Sequence, residues 1–379
     1  MKYCKKCLTT DLRPNAQFYD GICIACRYAA TSCSGSSSLK LKQLKTLITE
    51  AQKKQRSKGP YDCIVGVSGG KDSTRQAHWV RDRLGLRPLL VCAAYPPKQM
   101  SDVGADNLSN LISMGFDLMA VTPAPKTAAE LALESFEKFG NVCKSTEMSL
   151  FSTVPRLAIE HGINMIFWGE NPALQVGDSA VEGVNEFDGN NLRKLNTLTE
   201  GGNEWIKKFV TEAYKAEHYF YPDEIRFNKK KINIFYLGAA WDDWSNEQNS
   251  TYAALQGLNL RPGDEGETGD ISNASMLDEE FTNINMMLKY YKFGFGRTTD
   301  LVNEKIREGE LSREEGIGIV KKYDGVCADR IIKSFCDYVG IEIYRFWSIA
   351  NQWVNKDLFE ISNVGRPQPK FEVGIDREN

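Results

Sequence analysis

The turn Ser68–Ser73, with the sequence SGGKDS, carries residue types that bind phosphate. It follows the apolar run Cys63–Val67 and leads directly into a helical polarity pattern. Two glycines at a helix N-terminus expose backbone N–H groups beside the positive end of the helix dipole, and Lys71 adds a full positive charge. Asp72 suits such a site if a magnesium ion bridges its carboxylate to phosphate oxygens. The predicted phosphate-binding residues are Ser68, Gly69, Gly70, Lys71, Asp72 and Ser73, with Asp72 as the magnesium ligand.

Four of the ten cysteines form a second candidate site, because they are ordered as the pairs CKKC and CIAC. Two such pairs can place four thiolates at the corners of a tetrahedron, which is the arrangement that structural zinc requires. Disulfides, which a reducing cytosol disfavours, and an iron–sulfur cluster are the alternatives. We predict a zinc site that folds a small ribbon. Its ligands would be Cys4, Cys7, Cys23 and Cys26.

The composition is ordinary for a soluble globular protein, with 42% hydrophobic and 26% charged residues. No apolar run is long enough to cross a bilayer, and the N-terminal MKYCKKCL lacks the apolar core of a secretory signal. We therefore expect a cytoplasmic protein without a membrane partner. Residues 1–60 carry twelve Lys/Arg and three Asp/Glu, a net charge of +9, which leaves −12 for the remainder. The basic segment suits a nucleic acid, a membrane surface, an acidic partner or simply a solvated helix face.

Alternating strand and helix patterns from residue 61 onward must position the turn. The strand patterns are CIVGV, RPLLVCAAY, DLMAVTPA and INMIFWGE, each separated from the next by helical periodicity. Strands connected in this way pair in parallel through right-handed crossovers, so we expect an α/β fold with a doubly wound parallel sheet. Ligands of such sheets bind at the carboxyl ends of the strands, where both SGGKDS and GENPA fall. Thr127 and Glu130 predict a capping box for the helix AAELALESFEKFG.

Three regions are predicted. Residues 1–38 form the cysteine ribbon and a small-residue linker, and residues 39–177 form the α/β core. The core begins with an amphipathic basic helix whose apolar positions include Leu44 and Ile48. Residues 178–379 form a region that binds substrate or a partner and becomes mostly helical towards its end.

The turn is neither a Walker A loop nor G-x-G-x-x-G. It resembles the S-G-G-x-D-S loop of the PP-loop ATP pyrophosphatases, a superfamily that includes asparagine, GMP and NAD synthetases and tRNA-modifying enzymes. Those enzymes cleave ATP between the α and β phosphates. The resemblance implies that this loop binds the departing pyrophosphate and that the strand Leu89–Ala94 holds adenine through its backbone.

Further stretches are similar to the N-acetyl sugar amidotransferase family, above all KFGFGRTTDLVNEKIREGELSREEGIGIVKKYDG. The segment GNVCKSTEMSLFSTVPRLAIEHGINMIFWGENPALQVGD is similar as well. This family acts in O-antigen lipopolysaccharide assembly and in flagellar pseudaminic or legionaminic acid modification. The resemblance is weakest over residues about 178–280.

The resemblance implies a reaction in which the acetamido oxygen of an N-acetyl sugar attacks the α-phosphate of ATP. Ammonia then displaces AMP and leaves an acetamidino group. Such chemistry depends on positioning and charge neutralisation more than on an enzyme nucleophile. The implied catalytic residues are Lys71, Asp72, Lys144, Glu170, Asn171 and Arg297, of which the last four would meet phosphate or sugar.

No glutaminase triad is recognisable in the sequence. The resemblance therefore implies separate glutaminase and cyclase-like subunits that supply ammonia. The basic ribbon segment is a candidate docking surface for them.

A tRNA-thiolating enzyme is the alternative, since several such enzymes combine cysteine knuckles with this loop. Sulfur transfer generally needs reactive cysteines or an iron–sulfur cluster near the loop, yet no C-x-x-C follows Cys26. The acidic main body also disfavours a polyanion as partner. A non-catalytic nucleotide sensor is a third possibility, which the intact loop disfavours.

Overall fold

The cysteine ribbon is a short hairpin followed by a helix. Strand β1 (Phe18–Tyr19) pairs antiparallel with β2 (Ile22–Cys23), and helix α1 (Ile24–Thr31) follows. Asp20 and Gly21 link the strands with φ of 54° and 76°, as a tight hairpin turn requires. The computed structural model describes residues 1–14, 16–31, 37–54, 59–168, 187–188, 205–207, 217–240, 244–261 and 263–377.

A six-stranded sheet organises the middle of the described chain, in the order β5-β4-β3-β6-β8-β7. The first five strands in this order are parallel, and the short β7 is antiparallel at the edge. The chain starts in the middle, builds towards one edge and then returns to build the other, as in doubly wound nucleotide-binding folds. The predicted fold class is confirmed. The strands are β3 (Cys63–Gly66), β4 (Pro88–Ala93), β5 (Leu118–Val121), β6 (Met165–Trp168), β7 (Phe187–Asp188) and β8 (Asn233–Tyr236).

Helices cover both faces of the sheet. One face packs on the predicted basic helix, where Leu44 and Ile48 are almost fully buried, each contributing about 1.5–3 kcal/mol of apolar burial. On the opposite face, Ile64 and Leu89 pack against the helix Lys144–His161, which continues through Pro155. These helices are α2 (Ser37–Lys54), α3 (Lys71–His78, continued as a π-helix over Trp79–Arg83), α4 (Asp102–Ser113), α5 (Pro125–Phe139) and α6 (Lys144–His161).

The capping box predicted from Thr127 and Glu130 is wrong. Helix α5 begins at Pro125, and its N-cap is Ala124, whose side chain makes no capping hydrogen bond. Proline is well suited to the first helical turn, because its fixed φ is helical and its missing N–H has no partner there in any case. Thr127 therefore lies inside the helix, where it is buried.

The remaining described elements are mostly helical, as predicted for the end of the chain. The 3-10 turn Glu217–Tyr219 and helix α7 (Glu224–Lys230) precede β8, and the 3-10 turn Leu237–Ala240 follows it. The later helices are α8 (Asn246–Leu255), α9 (Glu265–Thr268), α10 (Phe281–Phe293), α11 (Arg297–Glu308), α12 (Arg313–Tyr323), α13 (Asp329–Val339) and α14 (Ile343–Ala350). The antiparallel pair β9 (Phe359–Ile361) and β10 (Pro367–Pro369) comes last. None of the helices among the described residues is long and apolar enough to span a membrane.

The ribbon packs on the C-terminal helices. Met1, Tyr3 and Leu8 belong to the same apolar core as α10, α13 and α14. Leu8 N donates to Asn303 Oδ1 over 2.6 Å, and Asn303 Nδ2 donates to Thr9 Oγ1 over 3.2 Å. The region boundaries at residues 38 and 177 stay predictions, but the first and last parts of the chain share one core.

A partly buried ion-pair network strengthens this docking. Arg13 of the ribbon and Lys289 of α10 both donate to the carboxylate of Asp300 on α11, Lys289 over 2.5 Å. Both cations also lie over the ring of Phe295, within 4.9 Å of its centroid. Although burial opposes it, the two neighbouring cations hold the pKa of Asp300 well below its usual value.

We expect Asp300→Asn to lower the free energy of unfolding by about 2–3 kcal/mol at neutral pH. A carboxyl whose folded pKa is depressed stabilises the protein fully above its unfolded pKa of 3.8, and that stabilisation is lost as the pH falls further. The difference from wild type should therefore narrow below about pH 4. Urea unfolding of wild type and Asp300→Asn at several pH values between acidic and neutral measures this difference in the free energy of unfolding. Asp337→Asn is the control, since its exposed partner Lys333 contributes less than about 1 kcal/mol. Equal effects of both substitutions at neutral pH would contradict the prediction.

Candidate functional site

The turn Ser68–Ser73 lies at the carboxyl end of β3, the middle strand of the parallel part of the sheet. Gly69 has a φ of +85°, and a Cβ there would lie 3.2 Å from Leu108 N of α4. Only glycine allows both this backbone conformation and the close approach of α4. Gly70 is the N-cap of α3, so Lys71 and Asp72 occupy the first turn of that helix.

Lys71 and Asp72 form an ion pair at the start of α3. Lys71 Nζ lies 2.8 Å from Asp72 Oδ2, and Asn249 Nδ2 donates to Asp72 Oδ1 over 2.6 Å. The Lys71 side chain is 8% exposed and that of Asp72 is 36% exposed. A carboxylate has about four acceptor positions, so these two contacts leave capacity for a cation. Oxygen ligands of this type fit magnesium.

A partly open cavity lies beside this ion pair. It is bounded by α3, α8, α11 and the ribbon helix α1. Its lining combines charged groups of both signs, amides and one tryptophan. Burial and the neighbouring glutamates raise the pKa of Glu308 to about 7. The lining residues that bear on chemistry are Lys71, Asp72, Trp244, Asn249, Glu304, Arg307 and Glu308.

Asp278 lies beside the turn, and the sequence patterns did not predict this position. Its Oδ2 accepts a hydrogen bond from Tyr95 Oη over 2.9 Å, just beyond β4. Burial raises the pKa of Asp278, and hydrogen bonds from Tyr95 and Ser68 oppose that rise. The C-terminal region thus places a carboxylate against the first residue of the turn. The acidic run Asp278–Glu280 is the one sequence feature that could have drawn attention to Asp278. Nothing in the sequence indicates that this run packs against Ser68, about 210 positions earlier.

A second, partly open cavity lies at the carboxyl end of β4. Ala93, Ala94 and Tyr95 form one wall, and the start of α6 forms another. Ser149 Oγ and Tyr219 Oη line this cavity, are buried, and have no hydrogen-bond partner among the described residues. Buried polar atoms without partners are rare and mark places where a ligand or water can bind. Tyr95 connects this cavity to the turn, because its hydroxyl group reaches Asp278.

Two of the other four predicted site residues, Lys144 and Arg297, lie in the described part of the chain. Lys144 begins α6, with Nζ 4.8 Å from the centroid of the Phe139 ring. Burial and the Lys144 ammonium lower the pKa of the neighbouring Lys292 to about 8. Arg297 begins α11 and donates through Nη2 to Ser275 Oγ. Glu170 and Asn171 lie outside the described residues. The roles predicted for these four residues stay predictions.

The four ribbon cysteines are buried together, with all sulfur atoms within 4.8 Å of one another. Cys7 Sγ lies 3.7 Å from Cys23 Sγ. Backbone N–H groups of Cys23 and Lys6 donate to Cys4 Sγ over 3.3 and 3.4 Å, as they do where a knuckle stabilises thiolate ligands. The four sulfurs can therefore hold a metal ion.

Residues 276–371 match the family described as LPS biosynthesis protein WbpG-like, C-terminal domain. This segment contains Asp278 and helices α10 to α14. No match was found among curated proteins.

Three solved structures are similar over most of their own length. A U34-tRNA thiolase NcsA from Methanococcus maripaludis, with its [4Fe-4S] cluster, shares 11% identity over 80% of this chain and 88% of that chain, with a TM-score of 0.29. An NH3-dependent NAD synthetase from Campylobacter jejuni shares 14% over 58% and 96%, with a TM-score of 0.27. An NMN synthetase from Francisella tularensis shares 15% over 66% and 92%, with a TM-score of 0.28.

These TM-scores are low, so the fold assignment depends on the strand order and on the position of the turn. The family match covers about a quarter of the chain. Within that part it confirms the resemblance inferred from the sequence: residues 276–371 are similar to the C-terminal domain of WbpG-like lipopolysaccharide biosynthesis proteins.

Proposed function

We propose that this protein is the synthetase component of an ATP-dependent amidotransferase that converts the acetamido group of an N-acetyl sugar into an acetamidino group. The observation that carries the proposal is the Lys71–Asp72 ion pair just beyond the carboxyl end of β3, beside a cavity lined partly by charged and amide side chains. The match of residues 276–371 supports a role in lipopolysaccharide biosynthesis. Flagellin modification is the other surface-glycan role in this proposal.

In this proposal the turn binds the β and γ phosphates of ATP. The N–H groups at the start of α3 and the Lys71 ammonium neutralise the phosphate charge. Asp72 would hold magnesium, which supplies charge neutralisation between the phosphates. The cavity at the end of β4 would take adenine, with Ser149 and Tyr219 as partners for its ring nitrogens.

The acceptor sugar would lie in the cavity beside Asp72. Its acetamido oxygen attacks the α-phosphorus, the bond from that phosphorus to the bridging oxygen breaks, and pyrophosphate leaves. Ammonia then adds to the activated carbon, and the bond from carbon to the AMP oxygen breaks. Ammonia gives up protons as the C=N bond forms, and the sugar oxygen departs in AMP. The residues present position and neutralise charge, and no protein nucleophile is needed.

The decisive experiment is incubation of the protein with ATP, magnesium, ammonium and a panel of N-acetyl sugars. AMP and a product one mass unit lighter than the sugar are expected, since oxygen is replaced by NH. Chromatography of nucleotides and mass spectrometry measure them. Formation of ADP in place of AMP would refute the assignment of the turn.

Ammonia would come from a separate glutaminase, with a cyclase-like subunit that docks on this chain. The basic helix α2 adjoins the sheet and carries lysines on its outer side, including Lys42 and Lys45. This surface and the ribbon suit an acidic partner.

Zinc fits the ribbon better than an iron–sulfur cluster does. Four thiolates bound to one zinc ion at about 2.3 Å lie about 3.8 Å apart, close to the distance between Cys7 and Cys23. Thiolates on the corners of a four-iron cluster would lie about 6 Å apart, because each binds a different iron. The upper limit of 4.8 Å among the four sulfurs therefore favours a single ion.

The alternative function is tRNA thiolation, which would need a reactive thiol near the turn. The two cysteines in the described strands of the sheet do not supply one. Burial raises the pKa of Cys63 in β3 and raises that of Cys92 in β4 to about 12. Both thiols therefore stay protonated near neutral pH, which makes them poor nucleophiles. An absorbance ratio that reveals co-purified RNA would favour the alternative.

Tyr219→Phe tests the proposed adenine cavity. We expect it to weaken ATP binding by about 10-fold, the contribution of one hydrogen bond. It should also leave the free energy of unfolding equal or slightly higher, because it removes a buried hydroxyl group without a protein partner. Isothermal titration calorimetry and urea unfolding measure the two effects.

Tyr290→Phe is the control, since Tyr290 lies among the C-terminal elements, with its ring against Phe359 and Phe371. It should leave ATP affinity unchanged. An unchanged ATP affinity in Tyr219→Phe would place adenine elsewhere.

A further inference from the structure

Asn249 is a buried side chain that no motif in the sequence singles out. It lies on α8, a helix that packs along α3, and only 1% of its surface is exposed. Its neighbours on α8 include Ser245, which caps the helix by accepting from Gln248 N. Asn249 instead points its amide at the first turns of α3.

The orientation of this amide follows from its neighbours. Arg75 Nη1 donates to Asn249 Oδ1 over 2.6 Å. Because a guanidinium group can only donate, the amide oxygen must face Arg75 and the NH2 group must face Asp72. In the flipped amide the NH2 group would face the Arg75 guanidinium and the amide oxygen would face the Asp72 carboxylate. Donors would then face donors and acceptors would face acceptors, so this orientation is excluded.

Asp72 is thereby fixed on both sides. Asn249 Nδ2 donates to Oδ1 over 2.6 Å, and Lys71 Nζ donates to Oδ2 over 2.8 Å. The plane of the carboxylate is set by these two donors, and its remaining acceptor positions are available towards the cavity that Asp72 and Asn249 both line. Without Asn249, Lys71 alone would hold the carboxylate, and rotation about the Asp72 side-chain bonds would be freer.

Arg75 is itself held in place. It is 9% exposed, and its guanidinium lies 5.6 Å from the centroid of the Tyr252 ring, one turn further along α8. Tyr252 Oη lies 3.1 Å from His78 Nδ1 on α3. The two helices therefore contact each other at successive turns, and the position of Asn249 is fixed by packing on both sides.

We propose that Asn249 is a positioning residue, which orients the Asp72 carboxylate so that it can hold the magnesium ion of bound MgATP. This inference rests on the proposed function, because it takes ATP as the ligand of the turn. It extends the proposed site from the turn to helix α8, which the loop motif does not include.

Calorimetric titration of ATP, with and without magnesium chloride, tests the inference without an acceptor substrate. In the wild-type protein, magnesium should tighten ATP binding. In Asn249→Leu, which keeps the number and branching of the side-chain heavy atoms but cannot form hydrogen bonds, we expect about 10-fold of that gain to be lost. Affinity for ATP without magnesium should change less than about threefold.

Two further variants support this test. Asn249→Ser is a smaller variant for use if the leucine variant does not fold. Ser250→Ala, on the same helix, is the control and should match wild type.

A double-mutant cycle separates positioning from general damage. If Asn249 acts through Asp72, adding Asn249→Leu to Asp72→Asn should cause no further loss of the magnesium effect. An equal loss of ATP affinity with and without magnesium would overturn the inference, as would a full magnesium effect in Asn249→Leu. If the wild-type protein does not bind ATP at all, the proposed function falls and the inference falls with it.

Discussion

Lys71→Met is expected to weaken MgATP binding by about 10- to 100-fold, since a charge-assisted hydrogen bond contributes about 1.5–3 kcal/mol. Lys71 is the buried cation of the turn and begins the helix whose N–H groups point at the phosphates in our proposal. Methionine retains most of the length and volume of the side chain but has no charge. The free energy of unfolding should change by no more than about 1 kcal/mol, because Asp72 keeps its bond from Asn249 and remains partly exposed.

Calorimetric titration with MgATP measures this effect directly. Lys98→Met is the matched control, because Lys98 is exposed and lies on the loop after β4. It should bind as wild type does. If Lys71→Met retained wild-type affinity, the turn would not be the phosphate site, and the proposed reaction would lose its leaving-group site.

Cys7→Ser should have the largest effect on stability. Cys7 is fully buried, and in our proposal it is one of four zinc ligands. Loss of one of four thiolates would remove most of the affinity for zinc, whose binding contributes about 10–16 kcal/mol in small zinc domains. The ribbon should then unfold and withdraw Leu8 from the core that it shares with the C-terminal helices. We expect the free energy of unfolding to fall by more than about 3 kcal/mol and the metal content to fall close to zero.

Inductively coupled plasma mass spectrometry gives the metal content, and denaturant unfolding gives the stability. Cys327→Ser is the control, because Cys327 is only partly buried and is not one of the four clustered cysteines. It should lose less than about 1.5 kcal/mol and keep the metal. One retained equivalent of metal in Cys7→Ser would contradict the assignment of Cys7 as a ligand.

Local patterns were enough to predict the parallel sheet. Each of the runs CIVGV, RPLLVCAAY, DLMAVTPA and INMIFWGE contains one strand of the sheet, because buried strands leave continuous apolar runs bounded by turn residues. The two cysteine pairs predicted the buried sulfur cluster for a similar reason: the ligand spacing within each pair is local. The start of α5 was misplaced because Pro125 and Thr127 both favour a helix start, and the proline determined it.

Contacts between distant parts of the chain were not predictable. Asn249 reaches Asp72 across 177 positions, and nothing around Asn249 in sequence marks it as part of a site. Asp278 reaches Tyr95 across 183 positions. In both cases the contact depends on how the later helices pack against the sheet, and a single sequence does not specify that packing.

The contact between Leu8 and Asn303 joins residues 295 positions apart, and this separation has a consequence during translation. A ribosome adds about 5–20 residues per second, so the surface that receives Leu8 emerges about 15–60 s after Leu8 itself. During that interval the ribbon could bind the metal ion that we propose for it, since all four thiols lie within the first 26 residues. Metallation can thus precede docking, and the nascent chain carries an exposed apolar face until its last third has been made.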